Sequence, residues 1–257
     1  MSESFDHVYR ISTLISPCDE ATVDELATKL PIPLPKGYRE YMTTLGEGEL
    51  CHYLRVNTPM TVAQDSEADA WERVNLVERF GSDRIQSSLK TEDIQAALVF
   101  GTSAEGDTYF SCPRFPAELF EFPRHDRLIR MYNNGFWGAV QHATSCMRHD
   151  FPFFKSYSRQ MNYHLCDIQP DIGYEGLIAL VKRQWPKGSH RISRGSDIKE
   201  YPHLFVRDAQ AHFEIHPRRP DLGPVDIPEG SFSVVAHFDR THQAEVLNFL
   251  DSIRLVK

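Results

Sequence analysis

Cysteine is scarce in this chain and nowhere paired by spacing: Cys18, Cys51, Cys112, Cys146 and Cys166 are scattered, with no C-x-x-C step. An odd, dispersed set argues against a disulfide scaffold and a zinc ribbon, and fits free thiols in a reducing compartment. Long apolar runs are missing too, none approaching the roughly 18 residues that a membrane-spanning helix needs. The opening Met1-Ser2-Glu3-Ser4-Phe5-Asp6 is acidic, where a secretory signal begins with positive charge. A cytoplasmic address with no membrane partner is the expectation. There is no G-x-S-x-G elbow to mark a serine nucleophile. The Gly101-x4-Gly106 spacing is not followed by Lys and Ser/Thr, and Asp107 would repel a phosphate, so it reads as a hairpin turn.

What is present is an ordinary globular composition: 257 residues, 41% hydrophobic and 25% charged, enough for one large domain or two small ones. The charge is uneven. Residues 1–155 carry 23 acidic and 15 basic side chains, while residues 156–257 carry 13 of each, so the formal net charge of −8 lies in the first part. An acidic domain repels nucleic acid and favours basic partners.

Periodicity divides the chain further. Glu20 to Leu30 has helical spacing, and Pro31-Ile32-Pro33-Leu34-Pro35 breaks it. Gly37 to Leu45 restarts as a short helix with Tyr38, Tyr41, Met42 and Leu45 on one face, and Gly46 and Gly48 fit a left-handed cap. Leu50 to Val56 reads as a strand and Asp65 to Phe80 as a helix. From Ala97 the pattern turns to β, with strands at Leu98–Gly101, Thr108–Cys112, Glu118–Phe122 and Leu128–Met131, and Phe136 to Met147 closes the unit as an amphipathic helix. The last third reads as a second unit. It has a strand at Asn162–Ile168, a helix at Gly173–Gln184, a hairpin from His203–Arg207 and Ala211–His216, a strand at Phe232–Phe238 and a helix at His242–Ile253. The fold class is therefore α+β, divided as 1–155 and a smaller α+β domain at 156–257.

In the first unit, Leu34-Pro35, Tyr38, Tyr41, Gly46 and Gly48 form one block. Phe100-Gly101, Gly106-Asp107 and Tyr109 form another, and Phe136 opens the closing helix. Over roughly residues 15–150 this pattern resembles the SUKH superfamily, the fold of yeast cell-wall-assembly regulators and of many bacterial toxin-immunity proteins. The resemblance implies an antiparallel sheet with flanking helices and a non-enzymatic, protein-binding role. By that likeness, the expected task is neutralising a polymorphic toxin from a neighbouring bacterial cell. The partner would be a basic toxin domain such as a nuclease, its active site occluded by an acidic face. The alternative is a regulatory scaffold.

The candidate contact residues are Glu47 and Glu49 of the glycine turn, Asp65, Glu67, Asp69 and Glu72 around the third helix, and Glu105 and Asp107 of the hairpin. Trp71 and Tyr109 are the aromatic anchors. Two constellations point elsewhere. His212-x-Glu214-x-His216 places three metal-competent side chains on one strand face, the material of a metal-dependent enzyme. Because Phe213 and Ile215 claim the core, that polar face is expected to meet solvent. His142-x3-Cys146-x2-His149 lacks a fourth ligand. No metal, no cofactor and no catalytic residue is expected. The basic cluster of Lys182, Arg183, Lys187, His190, Arg191 and Arg194 reads as the basic end of a helix followed by a solvated loop.

Overall fold

The computed structural model describes residues 4–64, 89–124, 128–157, 161–168, 171–187, 190–194, 202–217 and 232–254. The helix expected over Asp65–Phe80 lies outside them. The chain is α+β, and its described strands form two sheets. Among the described residues no helix is long and apolar enough to cross a membrane.

Helix α1 (Glu20–Lys29) starts where Asp19 accepts a hydrogen bond from the Thr22 amide at 2.7 Å, and it buries Val23 and Leu26. Helix α2 (Tyr38–Thr44) buries Tyr38, Tyr41 and Met42. It stops at Gly46, whose φ of +77° suits glycine, and a Cβ there would meet the Ser16 carbonyl oxygen at 2.0 Å. A short helix α3 (Thr91–Gln95) precedes the central hairpin, and α4 (Phe136–Cys146) closes the unit.

The first sheet contains β1 (Tyr9–Arg10), β2 (Gly48–Leu50), β3 (Leu54–Val56), β4 (Leu98–Ser103), β5 (Thr108–Cys112), β6 (Phe115–Phe122), β7 (Arg130–Tyr132) and β8 (Phe153–Ser156). Their spatial order is β1-β8-β2-β3-β4-β5-β6-β7, antiparallel except where β1 runs parallel to β8. The aromatic core lies between this sheet and α1, α2 and α4. There Tyr38 packs edge-on to Phe100 at 5.1 Å, and Tyr41 packs against Phe136 and Phe154. One expectation changes here. The stretch read as a single strand at Leu50–Val56 is a tight hairpin between β2 and β3, with Leu50 opposite Leu54.

The second sheet contains β9 (Met161–Ile168), β10 (His190–Arg194), β11 (Pro202–Val206), β12 (Ala211–Pro217) and β13 (Phe232–Asp239), in the antiparallel order β10-β11-β12-β13-β9. Helices α5 (Gly173–Gln184) and α6 (Gln243–Ile253) supply Leu177, Val181, Val246 and Leu250 to one face of it, over Phe213, Ile215, Val234 and Ala236. The basic stretch expected as a solvated loop supplies strand β10. Ser193 of that strand is buried and accepts from the Asp150 amide at 3.0 Å.

The two sheets meet through aromatic side chains. Phe205 of β11 lies 4.9 Å from Phe153, 5.2 Å from Tyr9 and 5.3 Å from Phe151, ring centre to ring centre, and is part of the first core. A polar clasp adds to this contact: Ser12 donates to Asp239 at 2.7 Å, and the Thr13 amide donates to Gln210 at 2.8 Å.

Candidate functional site

Strand alternation puts His203, Phe205, His212, Glu214 and His237 on the face of the second sheet opposite its helices. The register aligns them in rows, with Phe205 opposite His212 and His212 opposite His237. This face does not meet solvent as expected, because the end of it nearest β11 lies against Phe153 of β8 and His52 of the first unit. His212 is wholly buried, stacked on Phe205 at 4.3 Å with the ring planes 5° apart.

His52 reaches the seam from an unusual turn. Cys51 and His52 both have φ of +53°, the left-handed region that residues with side chains adopt sparingly. That turn directs the imidazole out of the first sheet and into the second. There His52 Nε2 lies 3.0 Å from Glu214 Oε1, and its ring stacks 5.3 Å from that of His212. Glu214 is ringed by imidazoles: His237 Nε2 at 2.7 Å, His216 Nε2 at 3.4 Å and His212 Nδ1 at 3.9 Å. Behind His52 sits Glu49, whose Oε2 is 3.4 Å from His52 Nδ1 and 3.1 Å from Lys155 Nζ, while Arg55 donates twice to Oε1 at 3.1 Å. His203 Nδ1 and His212 Nε2 are 2.9 Å apart, and the His149 ring packs edge-on against His203 at 4.7 Å.

The electrostatics follow from burial and neighbours. Burial disfavours charge on Glu49, but His52 and Lys155 overcome it and bring its pKa down to about 2. Burial also opposes ionisation of Glu214, yet His216, His237 and His52 hold its carboxyl well below the usual carboxylate range. Burial works against a charged His52, but contacts with Glu214 and Glu49 prevail and raise its pKa. Burial depresses the others: His149 falls to about 4, aided by His52, and His203 to about 3, aided by His149. Burial likewise lowers His237, and it takes His212 well below the ordinary histidine value. Burial thus favours the neutral form of His149, His203, His212 and His237, while Glu214 and Glu49 favour the charged form of His52.

The expected contact residues are distributed differently. Glu47 and Glu105 are exposed. Glu49 is buried in the seam as described. Asp107 is buried, accepting from the Tyr53 hydroxyl at 2.9 Å, the Ser103 hydroxyl at 2.7 Å and the Arg124 amide at 2.9 Å. Tyr109 is wholly buried and donates to Glu121 at 3.1 Å. These three side chains are spent on internal bonds, so a partner contact through them gives way to a structural role. Asp65, Glu67, Asp69, Trp71 and Glu72 lie outside the described residues.

A second buried carboxylate, Glu121, gathers Tyr109, Tyr132, Arg130 and His142, and His142 Nε2 is 3.1 Å from Cys146 Sγ. The grouping suggests a thiol nucleophile, but burial and the Glu121 charge push the Cys146 thiol up, away from the reactive thiolate.

Sequence reading found Glu214 and its two strand neighbours by period two, but missed His52, His203 and His237. The usable signal was the number of histidines, twelve in the chain, several falling on strands of one sheet. No protein-family model matches this chain, and no curated protein and no solved structure is significantly similar to it.

Proposed function

We propose that this chain is an intracellular, non-enzymatic binding protein of SUKH type that neutralises a basic toxin domain by covering it. The observation that supports this reading best is a pair of apolar side chains standing in solvent beside the seam. Tyr163 is 75% exposed and Leu165 60% exposed, on one face of β9, the last strand in the order of its sheet. Neighbouring apolar side chains left uncovered on a terminal strand are a feature of partner-binding surfaces.

The pair borders the seam. The Tyr163 ring lies 6.4 Å from that of His237, and His237 lies 5.7 Å from His52. On the far side Tyr157 is 43% exposed, and its amide donates to the Glu47 carbonyl at 3.3 Å. Exposed aromatic anchors are suited to a protein partner, and the negative charge of residues 1–155 favours the approach of a basic one.

The test is a pull-down from the producing cell at low salt, comparing the native chain with Tyr163→Ser/Leu165→Ser. The reading expects a single basic, enzyme-like partner, released by raised salt and retained at least tenfold less by the double variant. Equal retention by both chains would contradict this surface, and several regulatory proteins in place of one would favour a scaffold.

A further inference from the structure

The geometry points to a divalent transition-metal site at the seam, with His52 Nε2, Glu214 Oε1 and His237 Nε2 as ligands. Among the described residues two trios bring their donor atoms within 4.8 Å of one another: His52, Glu214 and His237, and His52, His203 and His212. The first trio has the composition of a two-histidine, one-carboxylate centre, which suits zinc, iron or cobalt ions and not the oxygen-loving magnesium or calcium.

Hydrogen bonding alone accounts poorly for this arrangement. His52 Nδ1 faces the Glu49 carboxylate and Lys155, while Nε2 lies 3.0 Å from Glu214 Oε1 but out of line for a hydrogen bond. In the tautomer that gives the Nδ1 proton to Glu49, Nε2 is free to serve as a ligand on the side where Glu214 and His237 converge. Bonds of about 2.0–2.1 Å to a tetrahedral ion separate neighbouring donors by about 3.3 Å, so the 3.0 Å and 2.7 Å separations need open by only about half an ångström.

Two further observations converge on the same spot. Among the described residues His212 Nδ1 is buried without a hydrogen-bond partner, 3.9 Å from Glu214 Oε1, an orphaned donor or acceptor aimed into the site. The Glu49–His52 contact, itself fixed by Arg55 and Lys155, is the carboxylate–histidine support that metal-bound imidazoles carry behind them. The left-handed Cys51-His52 turn is the backbone strain that buys this placement. His216 is partly exposed beside Glu214, so the site has a side open toward solvent where water or a partner's side chain can complete the coordination. With His52 from one sheet and Glu214 and His237 from the other, a bound ion pins the two sheets together.

The test uses the full chain without a polyhistidine tag, stripped with chelator, then titrated with zinc against a chromophoric competitor and with cobalt by visible absorption. The site predicts one tightly bound ion per chain and a cobalt spectrum of low symmetry. Glu214→Gln and His237→Ala, each checked by circular dichroism for an intact fold, should weaken zinc binding at least a hundredfold. Cys146→Ser, altering a thiol beside His142 away from the seam, should leave it unchanged. Less than a fifth of an equivalent bound, or binding unmoved by Glu214→Gln and His237→Ala, would overturn the site and leave a proton-charged imidazole–carboxylate cluster in its place.

Discussion

His52, from the turn between the second and third strands, meets Glu214 of the other sheet with 3.0 Å between Nε2 and Oε1. The two residues belong to separate sheets, and each is fixed on its own side: His52 by Glu49 and the aromatic face of Phe153, Glu214 by the strand register that sets His203 opposite it. The pair makes the seam a joint between the sheets. Removing His52 takes one partner from each of two buried carboxylates, Glu214 and Glu49. His52→Ala should therefore destabilise the chain by about 3 kcal/mol, read as a lower urea midpoint, a far larger loss than an exposed ion pair would give.

Asp107 and Glu47 should separate cleanly. Asp107→Asn weakens three internal acceptor contacts, to Tyr53, Ser103 and the Arg124 amide, and should cost about 2 kcal/mol of stability with partner affinity unchanged. Glu47→Lys alters an exposed charge, so it should leave the melting temperature within a degree or two and weaken binding of a basic partner.

Gly46→Ala tests the backbone at the end of α2. An added methyl would meet the Ser16 carbonyl oxygen at 2.0 Å, at a φ that disfavours alanine. The loss should be about 2 kcal/mol or more, whereas Gly173→Ala, also left-handed but with nothing among the described residues within 4 Å, should lose less. Thermal unfolding of the two variants side by side checks the difference.

His142 gives a pH signature. Burial lowers its pKa below the ordinary 6.5, against the pull of Glu121. The unfolded chain therefore takes up the proton first as the solution is acidified. The stability due to a neutral His142 is fully present above pH 6.5 and is lost as the pH falls through the lower, folded value. Between pH 7.5 and 5 the melting temperature of the native chain should fall more than that of His142→Gln, with identical slopes contradicting the assignment.

Much of the fold was legible because its elements obey simple periods. The helical spacing of Glu20–Leu30 and of Gly173–Gln184 reappears as α1 and α5, and the alternation through Ala211–His216 reappears as β12. Period two also placed His212, Glu214 and His216 on one face, yet it says nothing of what covers that face. The covering group is His52, and the turn that aims it depends on two left-handed residues, Cys51 and His52, that carry no glycine or asparagine signal. Strand β10 escaped notice because its arginines suggested a solvated loop, while buried Ser193 marks where it packs. Asp107 and Tyr109 looked like surface groups from their turn, but tertiary hydrogen bonds draw both inward.

Whether the seam binds a metal ion is tested most directly by diffraction. Crystals of the chelator-stripped, zinc-reloaded chain, measured on both sides of the zinc absorption edge, would locate the ion without reference to any activity. The expected result is one anomalous peak per chain, about 2.0–2.2 Å from His52 Nε2, Glu214 Oε1 and His237 Nε2. A featureless seam, or zinc bound only at exposed histidines such as His7, would contradict it.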